Sequence, residues 1–390
     1  MIMITAEELR QEFRALYGDD ARVFRAPGRI NLIGEHTDYN DGFVMPAAID
    51  LYALVACGPR PDRRLLIGSE NFAEAVEFDL DEAQPRPRGH WSDYARGVAL
   101  ALEESGRHLR GANLLIRSGV PVGAGLSSSA AIEVAVALAL LGVANLGIDR
   151  AELARLCQRA ENEFVGARVG IMDQFVCLHG RAGHALLLDC RSLDYRLTPL
   201  PENARLVIAN TMVKHELATN EYNTRRAECE AGVRHLQKYL PGIRALRDVS
   251  LDELERHGRD LPEAVRKRCR HVISENARVM LAAEALERGD LARVGQLMLE
   301  SHDSLRDDYE VSCWQLDVMV RLAMQAEGAY GARMTGGGFG GSVISIVEAE
   351  RAAEFGRTLA YDYEQVAGLR PEIYTCAAAE GAKEMVDGEL

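Results

Sequence analysis

The chain has 390 residues, with 45 Lys plus Arg against 59 Asp plus Glu and a formal net charge of −14 at pH 7. This length predicts two or three domains, and an apolar fraction of 47% is enough to build buried cores. The acidic excess lacks the electrostatic footprint of a protein that binds nucleic acid or docks on anionic membranes. We therefore expect no nucleic-acid partner, and any phosphate ligand must be bound by a few local groups.

The N-terminus and the cysteines favour a cytoplasmic protein without a membrane partner. Two acids and an arginine lie within the first ten residues, where a signal peptide needs an uninterrupted apolar core. The longest apolar stretch, 130–146, is interrupted by Glu133, Gly142 and Asn145 and is too polar to span a membrane. The eight cysteines are scattered without a CxxC pair, as in reduced cytosolic proteins.

In chain order, predicted strands alternate with predicted helices, which indicates mixed α and β layers. Runs of β-branched and apolar residues predict strands at 65–68, 112–117, 186–190, 206–210 and 341–347. Apolar residues at helical spacing predict helices at 130–146, 149–165, 221–239, 262–300 and 314–326. Asp149 is a predicted N-cap, Gly166 a predicted helix end and 81–91 a predicted loop. The last sixty residues return to a strand pattern.

The segment 118–131 places a glycine-rich turn and three serines between a predicted strand and a strongly apolar helix. Such a turn brings free backbone N–H groups and the positive end of the helix dipole close to an anion. Ser127, Ser128 and Ser129 add hydroxyl donors and helix caps. The pattern lacks the Walker A lysine and the third glycine of GxGxxG. It predicts a phosphate-binding loop, with a serine-capped helix after a flexible turn as the alternative.

A second glycine-rich segment, 334–347, contains a formal GxGxxG pattern at Gly336, Gly338 and Gly341. A dinucleotide-binding fingerprint must open a helix, whereas this segment runs directly into a β-branched strand. The context therefore argues against an NAD-dependent dehydrogenase. Two interpretations stay open, a tight hairpin and a loop that packs against the first glycine-rich segment or against a ligand.

A polar block between residues 26 and 43 concentrates hydrogen-bonding side chains between glycines. Its members are Arg29, Asn31, Glu35, His36, Asp38, Tyr39 and Asn40. Closely spaced carboxylates and an imidazole can bind vicinal hydroxyls, so the block predicts a polyol site. A metal site made of the two carboxylates and the imidazole is disfavoured, because nearly contiguous residues reach a common ion only with strain.

Together, the three segments resemble the three motifs of the GHMP small-molecule kinases, and residues 28–40 resemble the galactokinase signature. Further stretches at 161–166, 170–175, 222–226 and 307–312 match in order and spacing, so the likeness covers nearly the whole chain. It implies an α+β, two-domain fold of mixed sheets and helices, with the active site in the cleft between the domains. The implied domains are 1–205, with the sugar signature and phosphate loop, and 206–390, with the third motif.

The same resemblance implies ATP-dependent phosphorylation of the anomeric hydroxyl of α-D-galactose, with ATP as co-substrate and Mg²⁺ as cofactor. The implied catalytic pair is Asp173 and Arg29. The implied sugar contacts are Glu35, His36, Thr37, Asp38, Gly170 and Tyr222. The implied nucleotide contacts are Gly123, Ala124, Gly125, Leu126, Ser127, Ser128 and Ser129. The implied metal ligands are Ser129 and Glu161, and 336–341 is the implied supporting loop.

The chemistry of phosphoryl transfer suits an aspartate next to an arginine. Its loose transition state requires positioning and charge stabilisation more than strong proton abstraction. We expect Asp173 to orient the sugar hydroxyl and accept its proton late, while Arg29 stabilises the developing charge. The alternative is an ion pair with a structural role alone.

A different sugar or a different role would be compatible with the same fold. The sugar could be N-acetylgalactosamine, arabinose or galacturonate, although the complete block at 35–38 favours galactose. A galactose sensor that regulates transcription is disfavoured by the complete serine motif at 127–129. One departure from the family pattern is Thr219 and Asn220, where galactokinases usually have serines. His215, His302 and the eight cysteines are interpreted as structural, and a monomer is expected by analogy with the family.

Overall fold

The computed structural model describes residues 5–213 and 218–386, and the side chains of 218–220 lie outside that description. His215 therefore lies outside the described residues. The same holds for the side chains of Thr219 and Asn220, the two residues that depart from the family pattern. Within the described part of the chain, no helix combines the length and apolar character needed to cross a membrane.

Most helices form where the apolar periodicity predicts them. The helices are α1 (Ala6–Tyr17), α2 (Asp93–Glu104), α3 (Ser128–Ala144), α4 (Arg150–Arg159), α5 (Met172–His179), α6 (Ala218–Leu236), α7 (Leu251–His257), α8 (Glu263–Glu287), α9 (Leu291–Asp307), α10 (Trp314–Gln325) and α11 (Ala352–Ala367). The predicted helix at 262–300 is divided between α8 and α9, because Gly289 adopts a left-handed φ of 71°. The prediction of strands throughout the last sixty residues is wrong at α11, which buries Phe355, Leu359 and Tyr363 at helical spacing.

The strands include all five that the sequence predicts. They are β1 (Arg22–Asn31), β2 (Phe43–Val44), β3 (Pro46–Pro59), β4 (Arg64–Ser69), β5 (Glu74–Asp79), β6 (Ala112–Ser118), β7 (His184–Asp189), β8 (Tyr195–Pro199), β9 (Ala204–Asn210), β10 (Ala329–Thr335), β11 (Ser342–Glu348), β12 (Glu372–Cys376) and β13 (Lys383–Met385). In the described residues they form sheets ordered β13-β1-β3-β6-β4-β5, β10-β11-β9-β12 and β2-β7-β8. Pairing is antiparallel except between β4 and β6. These mixed sheets and helices confirm the α+β fold class.

The helix that follows Asp149 supports the local predictions and adds one feature. The Asp149 carboxylate accepts hydrogen bonds from the N–H groups of Ala151 and Glu152, which confirms the N-cap. After α4 the chain forms a π-helical turn, Ala160–Val165, which ends at Gly166 with a φ of 92°. π-Helical turns often occur at functional sites. Here the turn carries a buried glutamate, described below.

Helix α3 anchors the N-terminal part of the fold. It is apolar around nearly its whole circumference, as expected for a helix buried on all sides. It packs against β1, β3 and α2, and its buried residues include Val134, Ala137 and Leu141. This packing fixes the position of the serine-rich turn that precedes the helix.

A central core connects the N-terminal strand to the C-terminal half of the chain. Ile30 and Leu32 lie in one buried cluster with Val279 of α8, Leu297 of α9 and Ile344 of β11. The last strand, β13, pairs with β1 and forms one edge of the six-stranded sheet. The polar block, which begins within β1, and the glycine-rich turn between β10 and β11 are thus held by the same buried packing. The division at residue 205 stays a prediction.

Candidate active site

A cavity of about 490 Å³ lies where the N-terminal ends of α3 and α5 face the glycine-rich turn between β10 and β11. Its volume is typical of a small-molecule site. The residues predicted from the sequence that line it are Arg29, Glu35, His36, Asp38, Gly123, Gly125, Leu126, Ser127, Ser128, Ser129, Glu161, Gly170, Asp173 and Tyr222. Three segments that are far apart in the chain therefore share one cavity.

Arg29 and Asp173 form a bidentate ion pair in the cavity wall. Nε and Nη2 of Arg29 donate to the two carboxylate oxygens at 2.7 and 2.8 Å, and Nη1 donates to the carbonyl of Gly125 at 2.6 Å. Burial opposes the guanidinium charge, but the carboxylates of Asp173 and Glu35 outweigh it and raise the Arg29 pKa. Arg29 is therefore a buried cation that connects β1, α5 and the phosphate loop.

A bulge at Gly28 brings the backbone of β1 against the phosphate loop. The register with β3 shifts between Pro27 and Arg29. A Cβ on Gly28 would lie 2.9 Å from the carbonyl oxygen of Leu126, closer than a side chain tolerates. The N–H of Arg29 donates to that same carbonyl at 3.1 Å. Only glycine permits this approach, which directs the Arg29 side chain towards the loop.

Ser127 does not cap α3, contrary to the sequence prediction. It adopts a left-handed conformation with φ 59° and makes no side-chain capping hydrogen bond. Its hydroxyl donates instead to Oδ2 of Asp173. The first-turn N–H groups of α3 are thus left without that cap, as a phosphate-binding loop requires.

The second glycine-rich segment satisfies both interpretations that the sequence left open. It connects the antiparallel strands β10 and β11, and it packs against the phosphate loop. A Cβ on Gly336 would lie 3.0 Å from the carbonyl oxygen of Gly125, and the Ser342 hydroxyl donates to the carbonyl of Ala124 at 2.7 Å. The segment therefore supports the phosphate loop through close backbone contact.

Glu35 is held rigidly between the polar block and the glycine-rich turn. Its side chain is 2% exposed and accepts hydrogen bonds from Asn31 Nδ2 at 3.1 Å, from Thr335 Oγ1 at 3.1 Å and from the N–H of Gly336 at 2.7 Å. The guanidinium of Arg333, which is fully buried, lies 3.5 Å from Oε1. These contacts fix the orientation of the carboxylate next to the cavity.

The remaining polar wall consists of His36, Asp38, Gly170 and Tyr222. Burial, with Asp173 and Glu35 nearby, raises the pKa of Asp38 to about 7. A Cβ on Gly170 would lie 1.9 Å from Oδ2 of Asp38, so only glycine fits beside this carboxylate. The rings of His36 and Tyr222 lie 5.4 Å apart. The wall combines acceptors with an aromatic face, which suits a polyol.

Glu161 supplies a buried carboxylate to the part of the cavity that Ser129 also lines. It lies on the π-helical turn, is 5% exposed and accepts from Gln174 Nε2 at 2.7 Å, and the Ser129 hydroxyl favours its charged form. Burial and the charge of Asp173 raise its pKa to about 7. Gln174 also donates to the fully buried Glu133 at 3.0 Å. A buried carboxylate and a hydroxyl are hard oxygen donors that fit a divalent cation.

Comparison with known proteins decides the family. The family model "Galactokinase galactose-binding signature" matches residues 11–59. The models "GHMP kinases N terminal domain" and "GHMP kinases C terminal" match residues 93–181 and 282–365. A galactokinase of Roseiflexus sp. strain RS-1 is 50% identical over 386 residues, which cover 99% of this chain and 98% of that relative. The chain belongs to the galactokinase family.

Other galactokinases and GHMP kinases are consistent with this assignment. A galactokinase of Chloroflexus aggregans is 50% identical over 360 residues, 92% of each chain. The crystal structure of Lactococcus lactis galactokinase complexed with galactose is 36% identical, with a TM-score of 0.93 over 97% of this chain and 99% of that one. Methanococcus jannaschii mevalonate kinase, at 18% identity and a TM-score of 0.65 over 93% and 99%, shares the fold.

Two residues implied by the galactokinase resemblance lie beside the cavity and do not line it. Thr37 is fully buried, and its hydroxyl contacts the carbonyls of Gly34 and Phe43 at 2.8 and 2.7 Å. Ala124 is also fully buried. Neither residue lines the cavity, and the predicted contacts of Thr37 with the sugar and of Ala124 with the nucleotide stay predictions.

Several residues that line the cavity were not predicted from the galactokinase motifs. Phe72 and Trp91 form a stacked ring pair, with centroids 5.4 Å apart and planes at 6°, and Tyr94 lies nearby on α2. Trp91 ends the proline-containing loop at 81–91, and an aromatic residue in such a loop is a signal of binding that could have been used. The pairing with Phe72 depends on the tertiary fold.

Proposed function

We propose that the protein transfers the γ-phosphoryl group of ATP to the anomeric hydroxyl of α-D-galactose. The observation that carries this proposal is the ion pair of buried Arg29 with the partly exposed Asp173, between the glycine-rich loop at 123–129 and the polar wall. The Lactococcus lactis galactokinase, whose structure contains galactose, supports the choice of sugar.

In the proposed reaction, galactose lies against Glu35, His36, Asp38 and Tyr222 with its anomeric hydroxyl next to Asp173. The Asp173 carboxylate already accepts two hydrogen bonds from Arg29 and one from Ser127. These donors hold the carboxylate in one orientation, in which it orients the hydroxyl and accepts the proton late. The backbone N–H groups of the phosphate loop hold the nucleotide phosphates, and Arg29 stabilises charge on the transferring group.

Mg²⁺ is part of the proposal, with Ser129 and Glu161 as its protein ligands. Among residues 5–213 and 218–386, no group of three or more His, Cys, Asp or Glu side chains is arranged to hold a metal ion. Mg²⁺ bound with nucleotide needs only one or two protein ligands, because phosphates and water supply the others. Bound there, it would neutralise the charge of the phosphate oxygens.

We assign the adenine to the aromatic side of the cavity. Phe72 is 44% exposed in spite of its stacking on Trp91, so the ring pair offers an apolar surface near the phosphate loop. A nucleotide base gains by packing on such a surface.

The wider setting is also proposed. The proposed domains are 1–205 and 206–390, and no nucleic-acid or membrane partner is proposed. The active form is proposed to be a monomer, which size-exclusion chromatography with light scattering would test. All eight cysteines are free, which supports the reducing environment of the cytoplasm.

An assay for ADP release tests the proposed function. Wild-type protein is supplied with Mg-ATP and, separately, galactose, N-acetylgalactosamine, arabinose or galacturonate. The expected result is turnover with galactose at the highest kcat/KM. Turnover with another sugar alone would change the substrate, and no turnover with any sugar would favour a galactose sensor.

Gly170→Ala is expected to raise the KM for galactose about ten-fold or more, with little change in the KM for ATP. The new methyl group would meet Oδ2 of Asp38 at 1.9 Å, so the carboxylate must leave its place in the sugar wall. Steady-state kinetics with each substrate varied in turn measures both constants. The matched control is Gly147→Ala, because a Cβ there meets no atom within 4 Å. An unchanged KM for galactose in Gly170→Ala would contradict the placement of Asp38.

Glu161→Gln is expected to raise the Mg²⁺ concentration needed for half-maximal ATP binding about ten-fold. The substitution keeps the size of the side chain and removes its charge. Titration of fluorescent ATP analogue binding against Mg²⁺ measures this directly, without turnover. Glu163→Gln is the control, since Glu163 is two residues away with a side chain 72% exposed. If both variants required the same Mg²⁺ concentration as wild type, Glu161 would not be a metal ligand.

A further inference from the structure

Helix α3 carries a single charged residue, Glu133, among mainly apolar side chains. The Glu133 side chain is fully buried and does not line the cavity. Among the described residues it forms no ion pair, and its side-chain hydrogen bond comes from Nε2 of Gln174 at 3.0 Å. Burying a carboxyl group with so few partners is unfavourable, and an apolar side chain would suit this helix better. Glu133 is therefore a residue that the packing of α3 does not explain.

Gln174, on α5, connects Glu133 to Glu161, the proposed Mg²⁺ ligand. The Gln174 side chain is fully buried, and its Nε2 donates to Oε2 of Glu161 at 2.7 Å as well as to Oε2 of Glu133. The two amide protons thus go to two different carboxyl groups. The amide oxygen, Oε1, is buried without a hydrogen-bond partner among the described residues. The orientation of the amide therefore serves the two carboxyl groups and leaves its oxygen unpaired.

Metal binding at Glu161 requires this orientation of the amide. A carboxylate that ligates a cation is ionised and can only accept hydrogen bonds, so the amide nitrogen has to face it. Without Glu133, the second N–H of the amide would be buried without an acceptor, which is unfavourable. Glu133 removes that penalty and so favours the orientation in which Nε2 of Gln174 faces Glu161.

The backbone at Glu161 is already fixed, so the freedom that remains is in its side chain. The Glu161 carbonyl accepts from the N–H groups of Gly166 and Ala167 at 2.9 and 3.2 Å, and the π-helical turn packs against α2. Several rotatable bonds separate this backbone from the carboxylate. The contact with Gln174 restrains the outer end of the side chain. Hydrogen bonds of this kind orient the ligands of metal sites and tune their affinity.

We propose that Gln174 and Glu133 are positioning residues that hold the Glu161 carboxylate in the orientation that binds Mg²⁺. Gln174 acts by a direct hydrogen bond, and Glu133 acts by orienting the amide of Gln174. Neither residue lines the cavity, so both act through Glu161. Gln174 directly follows Asp173, so the first turn of α5 supports the metal side and carries the residue proposed to accept the sugar proton. The inference rests on the proposed function and adds two residues on which its metal site depends.

Gln174→Leu removes both hydrogen bonds of the amide and keeps a side chain of similar size. We expect the Mg²⁺ concentration for half-maximal binding of a fluorescent ATP analogue to rise about ten-fold, in a titration that needs no turnover. The matched control is Gln237→Leu, because Gln237 donates to the Ile243 carbonyl at 3.1 Å and does not line the cavity. That control should keep the wild-type Mg²⁺ requirement. A wild-type requirement in Gln174→Leu would overturn the proposal.

Glu133→Gln and Glu133→Leu separate the hydrogen bond of Glu133 from its charge. Glutamine keeps an oxygen that accepts the Gln174 N–H, so we expect a Mg²⁺ requirement within about two-fold of wild type. Leucine removes the acceptor, and we expect the requirement to rise about five-fold. An equal rise in both variants would show that the negative charge attracts the cation directly. Either that result or no rise in Glu133→Leu would overturn the role assigned to Glu133.

Thermal unfolding without ligand shows whether the variants are folded and separates a structural role from a positioning role. A structural role alone would lower the Tm of Gln174→Leu and leave its Mg²⁺ requirement unchanged, which would overturn the proposal. If Gln174→Leu does not fold, the two Glu133 variants decide. Normal galactose phosphorylation with an unchanged Mg²⁺ requirement in every variant would overturn this inference alone. The expected Mg²⁺ shifts in a protein that phosphorylates no sugar would overturn the proposed reaction alone.

Discussion

Asp173→Asn is expected to lower kcat for galactose phosphorylation about a thousand-fold or more, with galactose and ATP still bound. Asparagine keeps the size of the side chain but cannot accept the proton of the anomeric hydroxyl. Removing the carboxylate also takes away the ionic partner of Arg29, whose Nε and Nη2 lie 2.7 and 2.8 Å from it. Steady-state kinetics measures kcat, and calorimetric titration measures the binding of each substrate.

The matched control for this variant is Asp189→Asn. Asp189 accepts from both terminal nitrogens of Arg247 at 2.6 and 2.9 Å, so it forms a comparable bidentate pair, and it does not line the cavity. We expect this control to lose some stability and keep its kcat within about two-fold. Wild-type turnover by Asp173→Asn would show that the Arg29–Asp173 pair has a structural role alone.

The cavity-lining residues of the polar block and of the loop at 123–129 could be predicted because both segments have their own physical signal, whereas Glu161, Gly170 and Tyr222 came from the family resemblance. The phosphate loop was recognisable from glycines and serines between a strand and an apolar helix. The pairing of Arg29 with Asp173, separated by 144 residues, came from the family resemblance. Local periodicity could not have produced it, because the contact depends on how β1 packs against α5.

The direction of individual side chains was the part that the sequence could not give. Ser127 turns its hydroxyl away from its own helix because its left-handed backbone aims it at Asp173. Thr37 is turned inwards, and its hydroxyl lies within hydrogen-bond distance of the backbone carbonyls of Gly34 and Phe43. Tyr39 and Tyr309 meet through the tertiary fold, so their hydrogen bond has no local signature.

Although the net charge of the protein is −14, the structure places positively charged groups beside the cavity. Arg29 and Arg333 are buried cations beside the cavity, each next to a carboxylate, and the loop at 123–129 adds backbone dipoles. Because both arginines are buried, their charges have a larger effect on the cavity than the same charges would have on the surface. An acidic protein can therefore bind a polyanion without a basic surface.

Arg29→Lys is expected to lower kcat about a hundred-fold, although the positive charge is kept. Lysine cannot reproduce the planar fork that donates to both oxygens of Asp173 and to the Gly125 carbonyl. Asp173 would then lose its fixed orientation, and the phosphate loop would lose its contact with β1. Rapid-quench measurement of the phosphoryl-transfer step separates this effect from product release.

Arg247→Lys is the matched control for Arg29→Lys, because Arg247 makes the same kind of fork with Asp189, which does not line the cavity. We expect that control to change kcat less than about two-fold. If Arg29→Lys kept its kcat while Asp173→Asn lost it, the charge at position 29 would suffice and the fork geometry would be irrelevant. If both lost kcat and both controls kept it, catalysis would depend on an aspartate held in one orientation by a bidentate arginine.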